Sequence, residues 1–227
     1  MVIGNGMIAT RFAPYQHEDG FLIYASGVSN SNCLDQKAFN REYDLLRQYA
    51  LRHPDKILVY FSTCSILDDE QKGIPYVQHK ISMENWIQGN VKKFVIFRIS
   101  NPIGNTNNTH TFFNFFLNQI IKKHPFDIWR FASRNILDID DMYKICDYIL
   151  RHEFFMNQIV NVANITNYSV LDIVEAIEKH YQIKGIYNIV NRGNGPLIPT
   201  IEIHPIISQL QIDFSHNYIE RILNKYF

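Results

Sequence analysis

The chain has no cysteine pairing pattern, no excess charge of either sign and no long apolar run. Its three cysteines, Cys33, Cys64 and Cys146, are odd in number and far apart. That spacing excludes a disulfide framework and fits free thiols in a reducing compartment. Lys plus Arg and Asp plus Glu stand at 22 each, so no net field draws the chain toward nucleic acid or anionic lipid. The most apolar stretch, Phe112 to Ile121, is interrupted by Asn and too short to span a bilayer. Met1-Val2-Ile3-Gly4 has no basic segment ahead of an apolar one, so no signal peptide is expected. Sequons such as Asn164-Ile165-Thr166 then read as chance matches. The nine histidines show neither His-x-x-x-His nor clustered Cys/His spacing, and no metal site is expected. These exclusions leave a cytoplasmic globular protein without nucleic-acid or membrane partners. At 227 residues it is long enough for one well-buried core, alone or with a small appended lobe.

What is present is an alternation of strand and helix signals without internal repeats. Met1 to Ile3 is a short apolar run ending in Gly4-Asn5-Gly6, followed by a helical stretch from Met7 to Tyr15. Phe21 to Ala25 is a second run, closed by the turn-rich Ser26-Gly27-Val28-Ser29-Asn30. Phe39, Tyr43, Leu46 and Tyr49 then recur near helical spacing. Lys56 to Phe61 is almost continuously apolar, as a parallel strand buried on both faces should be. A helix over Tyr76 to Gln88 and a strand over Lys93 to Ile99 follow. Helices are expected at Thr109 to Lys123, Asp138 to Arg151 and Ser169 to Tyr181, with a short strand at Gln158 to Ala163 and a loop at Gly193 to Pro196. The alternation predicts an α/β fold: a Rossmann-like parallel sheet flanked by helices. Residues 1–105 form its core, and 106–227 form a mostly helical substrate lobe that returns elements to it.

Gly4-Asn5-Gly6-Met7-Ile8-Ala9 fits G-x-G-x-x-A after a strand and at a helix start. Glycines there let the backbone approach a pyrophosphate, and the helix N-terminus favours its charge. A tight strand-to-helix turn selects glycine too. Tyr76-Val77-Gln78-His79-Lys80 is Y-x-x-x-K, a pairing that arises by chance roughly once in a chain of this composition. Its chemical sense is a Lys⁺ one turn from a phenol, lowering the phenol's pKa; its bland sense is a half-buried Tyr and a solvated Lys. His79 is expected to point off that face. The Phe-rich segment Phe112, Phe113, Phe115 and Phe116 reads as core or as a contact in a homo-oligomer.

Context sharpens these weak signals. A hydroxyl cluster, Tyr60-Phe61-Ser62-Thr63-Cys64-Ser65, lies upstream of Tyr76. Downstream are Phe97-Arg98-Ile99-Ser100-Asn101-Pro102 and Arg134-Asn135-Ile136-Leu137-Asp138-Ile139-Asp140-Asp141. Taken in order, the five motifs resemble the extended short-chain dehydrogenase/reductase family, of the NAD-dependent epimerase/dehydratase kind. The resemblance implies a nucleotide-sugar oxidoreductase, either a ketone reductase or an epimerase, using NAD or NADP. It implies Tyr76 as acid/base, Lys80 lowering its pKa, and Thr63 binding the reacting oxygen. It places substrate contacts at Ser62, Asn101 and Arg134. Cofactor contacts fall at Gly4, Gly6, Met7, Ile8, Ala25, Ser26, Lys80 and Pro102. Arg134 reads equally well as a salt-bridge residue, and Arg98 as a structural one.

Two departures stand out. Only a short helix and loop separate Ile3 from Phe21, where the family has two further strands and an acidic or basic residue for the adenosine ribose. The predicted sheet is therefore truncated, with the adenosine half of the pocket missing. The Asp-Glu pair that follows Thr in the family's dehydratases is Cys64-Ser65 here, which argues against water elimination. The rival reading is a remnant that binds a nucleotide-sugar, or a partner protein, without redox chemistry.

Overall fold

The computed structural model describes residues 1–105 and 111–227. Five parallel strands form the central sheet: β1 (Val2–Ile3), β2 (Phe21–Tyr24), β3 (Ile57–Thr63), β4 (Phe94–Ile99) and β8 (Gln158–Val162), in that spatial order. The registers Val2↔Ile23, Tyr24↔Tyr60, Thr63↔Ile99 and Ile99↔Val162 align the strands' carboxyl ends along one edge. β1 is the outermost strand and pairs directly with β2. Its carbonyls at Met1 and Ile3 accept from Ile23 and Ala25, while the outward N–H of Val2 donates to the Gln16 side chain. A two-residue strand whose free edge meets a glutamine offers little to a further strand.

Helices cover both faces. α2 (Gln36–Arg52) and α3 (Pro75–Asn90) pack on one side over Leu22, Tyr24, Leu58, Tyr60 and Ile96. α1 (Met7–Arg11), α5 (Ile139–Arg151) and α7 (His204–Gln209) cover the other, over Ile23, Val59, Phe61, Val95, Phe97 and Val160. The strands are apolar on both faces for that reason. The helix expected over Met7 to Tyr15 is only five residues of α-helix, then a 3-10 turn at Ala13–His17. Pro14 lies in that turn, where it cannot donate an intrahelical hydrogen bond. α2 is capped by Asp35, whose carboxylate accepts from Lys37 N–H. α3 opens on Pro75, whose missing N–H is no loss at a helix start.

Past β4 the chain leaves the sheet. β5 (Asn101–Ile103) pairs with β7 (Ser133–Asp138), which also pairs with β9 (Asn167–Ser169). β6 (Pro125–Trp129) pairs with β10 (Ile186–Val190). With α4 (Phe112–Ile121), α6 (Val170–Tyr181) and α8 (Tyr218–Tyr226) these elements enclose a second core around Phe113, Ile128, Ile136, Ile173 and Ile222. Thr109 and His110, expected in the Phe-rich helix, lie outside the described residues. Asp138 and Ser169, expected inside helices, are instead the N-caps of α5 and α6. Phe113, Phe116 and Leu117 of α4 are buried in this core, whereas Phe115 is exposed. Among the described residues no helix is long and apolar enough to cross a membrane.

Candidate active site

The carboxyl edge of a parallel sheet is where open α/β folds present their chemistry, because loops and helix N-termini converge there. Here a continuous line of backbone and side chains runs along it. Gly4 follows β1 with φ +130, and a Cβ at that position would lie 2.3 Å from the Ala25 carbonyl oxygen and 3.1 Å from Ser26 N. Only glycine permits that approach. One residue further, a Cβ on Gly27 would lie 2.7 Å from Lys80 Nζ and 3.0 Å from Glu42 Oε1. The turn after β1, the turn after β2 and the Lys80 ammonium are therefore packed in sequence.

Tyr76 and Lys80 are both buried on the inward face of α3. Lys80 Nζ lies 5.8 Å from the centre of the Tyr76 ring. Thr63 ends β3 and turns its hydroxyl two ways: it accepts from Ser65 N–H at 3.1 Å and it faces the Tyr76 phenol. Burial pushes the Tyr76 phenol above its ordinary value. Lys80 pulls it down, Glu42 pushes it up again, and the Thr63 hydroxyl draws it down less. Ser62 is buried beside Thr63, with no hydrogen-bond partner for its Oγ among the described residues.

Lys80 does not point into open space. Its ammonium donates to Glu42 Oε1 at 2.9 Å and to the Tyr60 hydroxyl at 3.1 Å, and the Tyr60 hydroxyl donates to the same Glu42 oxygen at 2.7 Å. Glu42 is fully buried on α2. Its other oxygen accepts from Val28 N–H at 2.6 Å and lies 3.1 Å from His79 Nε2. Burial alone would push this carboxyl up. The Lys80 charge, the approach of His79 and the bonds from Tyr60 and Lys80 outweigh it and hold Glu42 well below the usual carboxylate range. Burial likewise opposes the Lys80 charge, and Glu42, with Tyr76 adding to it, more than restores it, so Lys80 sits above its ordinary value.

His79, expected off the Tyr76/Lys80 face, instead stacks on Phe39 with ring centres 4.6 Å apart and reaches the carboxylate that holds Lys80. Positions three apart share a helix face, and that spacing relates Tyr76 and His79. Glu42, Tyr60 and the stacked Tyr24 are not among the candidates from sequence. One signal was available for Glu42. Phe39, Glu42, Leu46 and Ala50 are the buried stripe of α2, so a carboxylate stands in an apolar row.

The remaining candidates divide. Met7 and Ile8 pack their side chains against the core. The first hydrogen bond of α1 runs from Thr10 N–H to Gly6 O, so the N–H groups of Met7, Ile8 and Ala9 have no acceptor within the helix. Those groups and the Gly6 position, open where a Cβ would stand, suit a pyrophosphate. Beside them lies a cleft of about 330 Å³ lined by Val2, Gly4, Asn5, Ala9, Thr10, Ala13 and Gln16. It contains no carboxylate to grip a ribose. Ala25 and Ser26 contribute backbone, and Arg41 donates to the Ser26 carbonyl at 3.1 Å.

Asn101, Pro102 and Arg134 lie beyond β4 on the paired strands β5 and β7. The Asn101 amide donates to Asn135 O at 2.8 Å, and Arg134 donates to Ser133 O at 2.8 Å. Burial lowers the Arg134 pKa against the raising effect of Asp68. Asn135, not singled out from sequence, is a buried hub whose amide joins Ser100, Asn164 and Asn167. Arg98 is held by Glu84 at 2.9 and 2.6 Å, a two-pronged ion pair between β4 and α3. The Cys64 thiol is buried, donates to the Arg98 carbonyl and is pushed up by burial, which suits an inert residue.

Comparison with known proteins follows the same line. The model of the NAD dependent epimerase/dehydratase family matches residues 43–163. That span includes Thr63, Tyr76, Lys80, Asn101 and Arg134; it leaves out the Gly4 turn and Glu42. No curated protein matches by sequence. Among solved structures, the UDP-glucose 4-epimerase of Thermus thermophilus in complex with NAD superposes with a TM-score of 0.70 at 14% identity, covering 96% of this chain and 79% of that one. The UDP-glucuronic acid 4-epimerase of Bacillus cereus, with UDP-glucuronic acid and NAD, gives 0.69 at 17% identity, covering 91% and 73%. The dTDP-glucose 4,6-dehydratase of Bacillus anthracis with NAD gives 0.67 at 12%, covering 91% and 71%. At such identities the likeness is one of fold.

Proposed function

The chain belongs to the NAD dependent epimerase/dehydratase family, and from that premise we propose that it is an oxidoreductase acting on a nucleotide-sugar, as ketone reductase or epimerase. The observation that carries this is the placement of Tyr76 and Lys80 on one buried face of α3 with Thr63 opposite the phenol, at the carboxyl edge of the sheet. Thr63 holds the reacting oxygen by hydrogen bond. Tyr76 exchanges a proton with that oxygen, and the charge of Lys80 stabilises the phenolate. Ser62, Asn101 and Arg134 line the approach of the sugar nucleotide. Residues 1–105 carry the dinucleotide-binding half and 106–227 the sugar-facing half.

The residues present fit a nicotinamide dinucleotide in part. The Gly4–Gly6 turn and the free N–H groups of Met7 and Ile8 would hold its pyrophosphate, with Ala25, Ser26 and Pro102 alongside. A nicotinamide, when bound, supplies or accepts the hydride. Cys64-Ser65 stands where elimination needs an acid/base pair, so the reading excludes a dehydratase. The test is turnover of a panel of UDP- and dTDP-linked sugars and ketosugars by wild type and Tyr76→Phe. We expect the substitution to lower kcat by about 10²–10⁴-fold with little change in ligand-induced stabilisation. Equal turnover by the two proteins contradicts the reading.

One observation favours a second reading, a nucleotide-sugar-binding or partner-binding protein without redox chemistry. The Lys80 ammonium is already engaged by Glu42 and Tyr60 beneath Gly27. On that reading no dinucleotide binds, while nucleotide-sugars still do.

A further inference from the structure

An ammonium has three N–H bonds. Two of those on Lys80 go to Glu42 and Tyr60, and Gly27 closes over the nitrogen. The 2.9 Å to Glu42 is half the 5.8 Å that separates Nζ from the Tyr76 ring centre. Coulomb attraction falls with distance, so the cation interacts more strongly with the carboxylate than with the phenol. The phenol therefore faces a cation already paired with a carboxylate, and Glu42 offsets part of the pull that Lys80 exerts on it.

We propose that Glu42 is a positioning residue that holds Lys80 as its own counter-ion and thereby keeps Tyr76 a neutral proton donor, setting the site to protonate the carbonyl oxygen of a ketosugar nucleotide. This rests on the function proposed above and narrows it to the reductase. The proton passes from the Tyr76 hydroxyl to the carbonyl oxygen while the carbonyl carbon takes a hydride from reduced nicotinamide, which is oxidised. The resulting phenolate regains its proton from solvent. An alcohol oxidation would need the phenolate at the outset, which the carboxylate disfavours.

Of the polar groups on the elements around Tyr76, Lys80, Glu42 and Thr63 act on its charge. α3 contributes Lys80, His79 and Glu84, the last bound to Arg98 of β4. α2 contributes Glu42, β3 contributes Tyr60 and Thr63, and β2 contributes Tyr24, whose hydroxyl donates to the Glu42 carbonyl. Among these Glu42 alone combines full burial with direct contact to the Lys80 nitrogen and a full negative charge.

The experiment uses the full chain labelled with ¹³C at the tyrosine ring carbon bearing the hydroxyl, without ligand. Tyr76→Phe assigns the Tyr76 resonance, and its titration is followed in wild type, Glu42→Gln and Glu42→Asp. We expect Glu42→Gln to make the phenol about tenfold more acidic, or more, since removal of a neighbouring charge moves a buried group by one unit or more. Glu42→Asp retains the buried charge one methylene further away. It should shift the phenol the same way by less, and it serves if Glu42→Gln does not fold. A Tyr76 that titrates no lower in either variant than in wild type overturns the proposal and leaves Glu42 a structural counter-ion. The readout needs neither cofactor nor sugar, so it stands apart from any failure of the proposed reaction. In turnover, the fall of carbonyl reduction at high pH should move to lower pH in Glu42→Gln by the same amount. A merely structural role would not move it.

Discussion

Lys80 and Glu42 illustrate how much a single buried contact decides. Both are essentially removed from solvent, at 2% and 0% exposure. Replacing only one leaves the other charge in a low-dielectric interior, at about 3–5 kcal/mol. Lys80→Met should therefore lose stability by about that amount in urea denaturation, in addition to losing any activity; a loss below about 1 kcal/mol would mean that water reaches the pair. Gly4 is the second residue on which the edge depends. Gly4→Ala demands a side chain at φ +130 against the Ala25 carbonyl, and the backbone strain alone is worth about 1–3 kcal/mol. The clash adds to it, so we expect a destabilised protein whose β1 amides exchange faster. Tyr76, Lys80 and Thr63 stand out in the sequence because their types and order are those of a known motif set, and the fold brings them to one edge of the sheet. Glu42 was not, because the apolar pattern of its helix runs through Phe39, Tyr43, Leu46 and Tyr49. The buried row runs through Phe39, Glu42, Leu46 and Ala50. A hydrophobicity reading passes over a carboxylate even when its spacing puts it in the core.

Among the elements, the four parallel strands β1 to β4 and the helix α3 were readable within a residue or two, and α2 within three at each end. Continuous apolar runs and caps fix them locally. β5, β6, β7, β9 and β10 were missed. In β6 the exposure alternates, and its partner β10 lies more than fifty residues away, with Ile186 and Ile189 exposed. Such a pair is defined by tertiary contact, which a local reading does not contain. α8 is different: Tyr218, Ile219, Ile222 and Leu223 have helical spacing that could have been read. Its docking runs through Asp138, which caps α5. The Asp138 carboxylate accepts from Lys225 at 2.7 Å and Tyr226 at 2.6 Å, and its backbone N–H donates to the Tyr218 hydroxyl at 2.8 Å. Asp138→Ala should cost about 1–2 kcal/mol from the cap alone. It should also lower hydrogen-exchange protection across α8 while α3 is unchanged. Equal protection of α8 in the variant would show that its apolar face docks it without these bonds.

For the whole molecule, the buried pair makes stability depend on pH at both ends. Glu42 is held below its ordinary 4.5, so its contribution is present above that value and is lost as pH falls through the folded pKa. Lys80 is held above its ordinary 10.5, so its contribution is complete below that value and is lost as pH rises through the folded pKa. Stability should plateau between these limits, and Glu42→Gln should flatten the acid limb in denaturation measured across pH. The shape of the sheet was legible too. The absence of two strands and the pairing of β1 with β2 follow from the short span between Ile3 and Phe21. It is long enough for a helix and a turn, and too short for two more strands with their connections. What that shortening does to ligands depends on charges and shapes that only the assembled edge reveals.

Whether this edge still takes a nicotinamide dinucleotide together with a nucleotide-sugar decides between the enzyme and the binding protein. Thermal denaturation with NADH, NADPH, NAD⁺ and NADP⁺, alone and with UDP- or dTDP-linked sugars, distinguishes them. A ligand at about 100 times its Kd stabilises a fold by about 2.7 kcal/mol, which raises Tm by several degrees in a domain of this size. We expect a saturable rise with at least one dinucleotide, and a larger one with a nucleotide-sugar added. A rise with nucleotide-sugars alone, and none with any dinucleotide at millimolar concentration, would contradict the oxidoreductase and favour a binding protein built on the same fold.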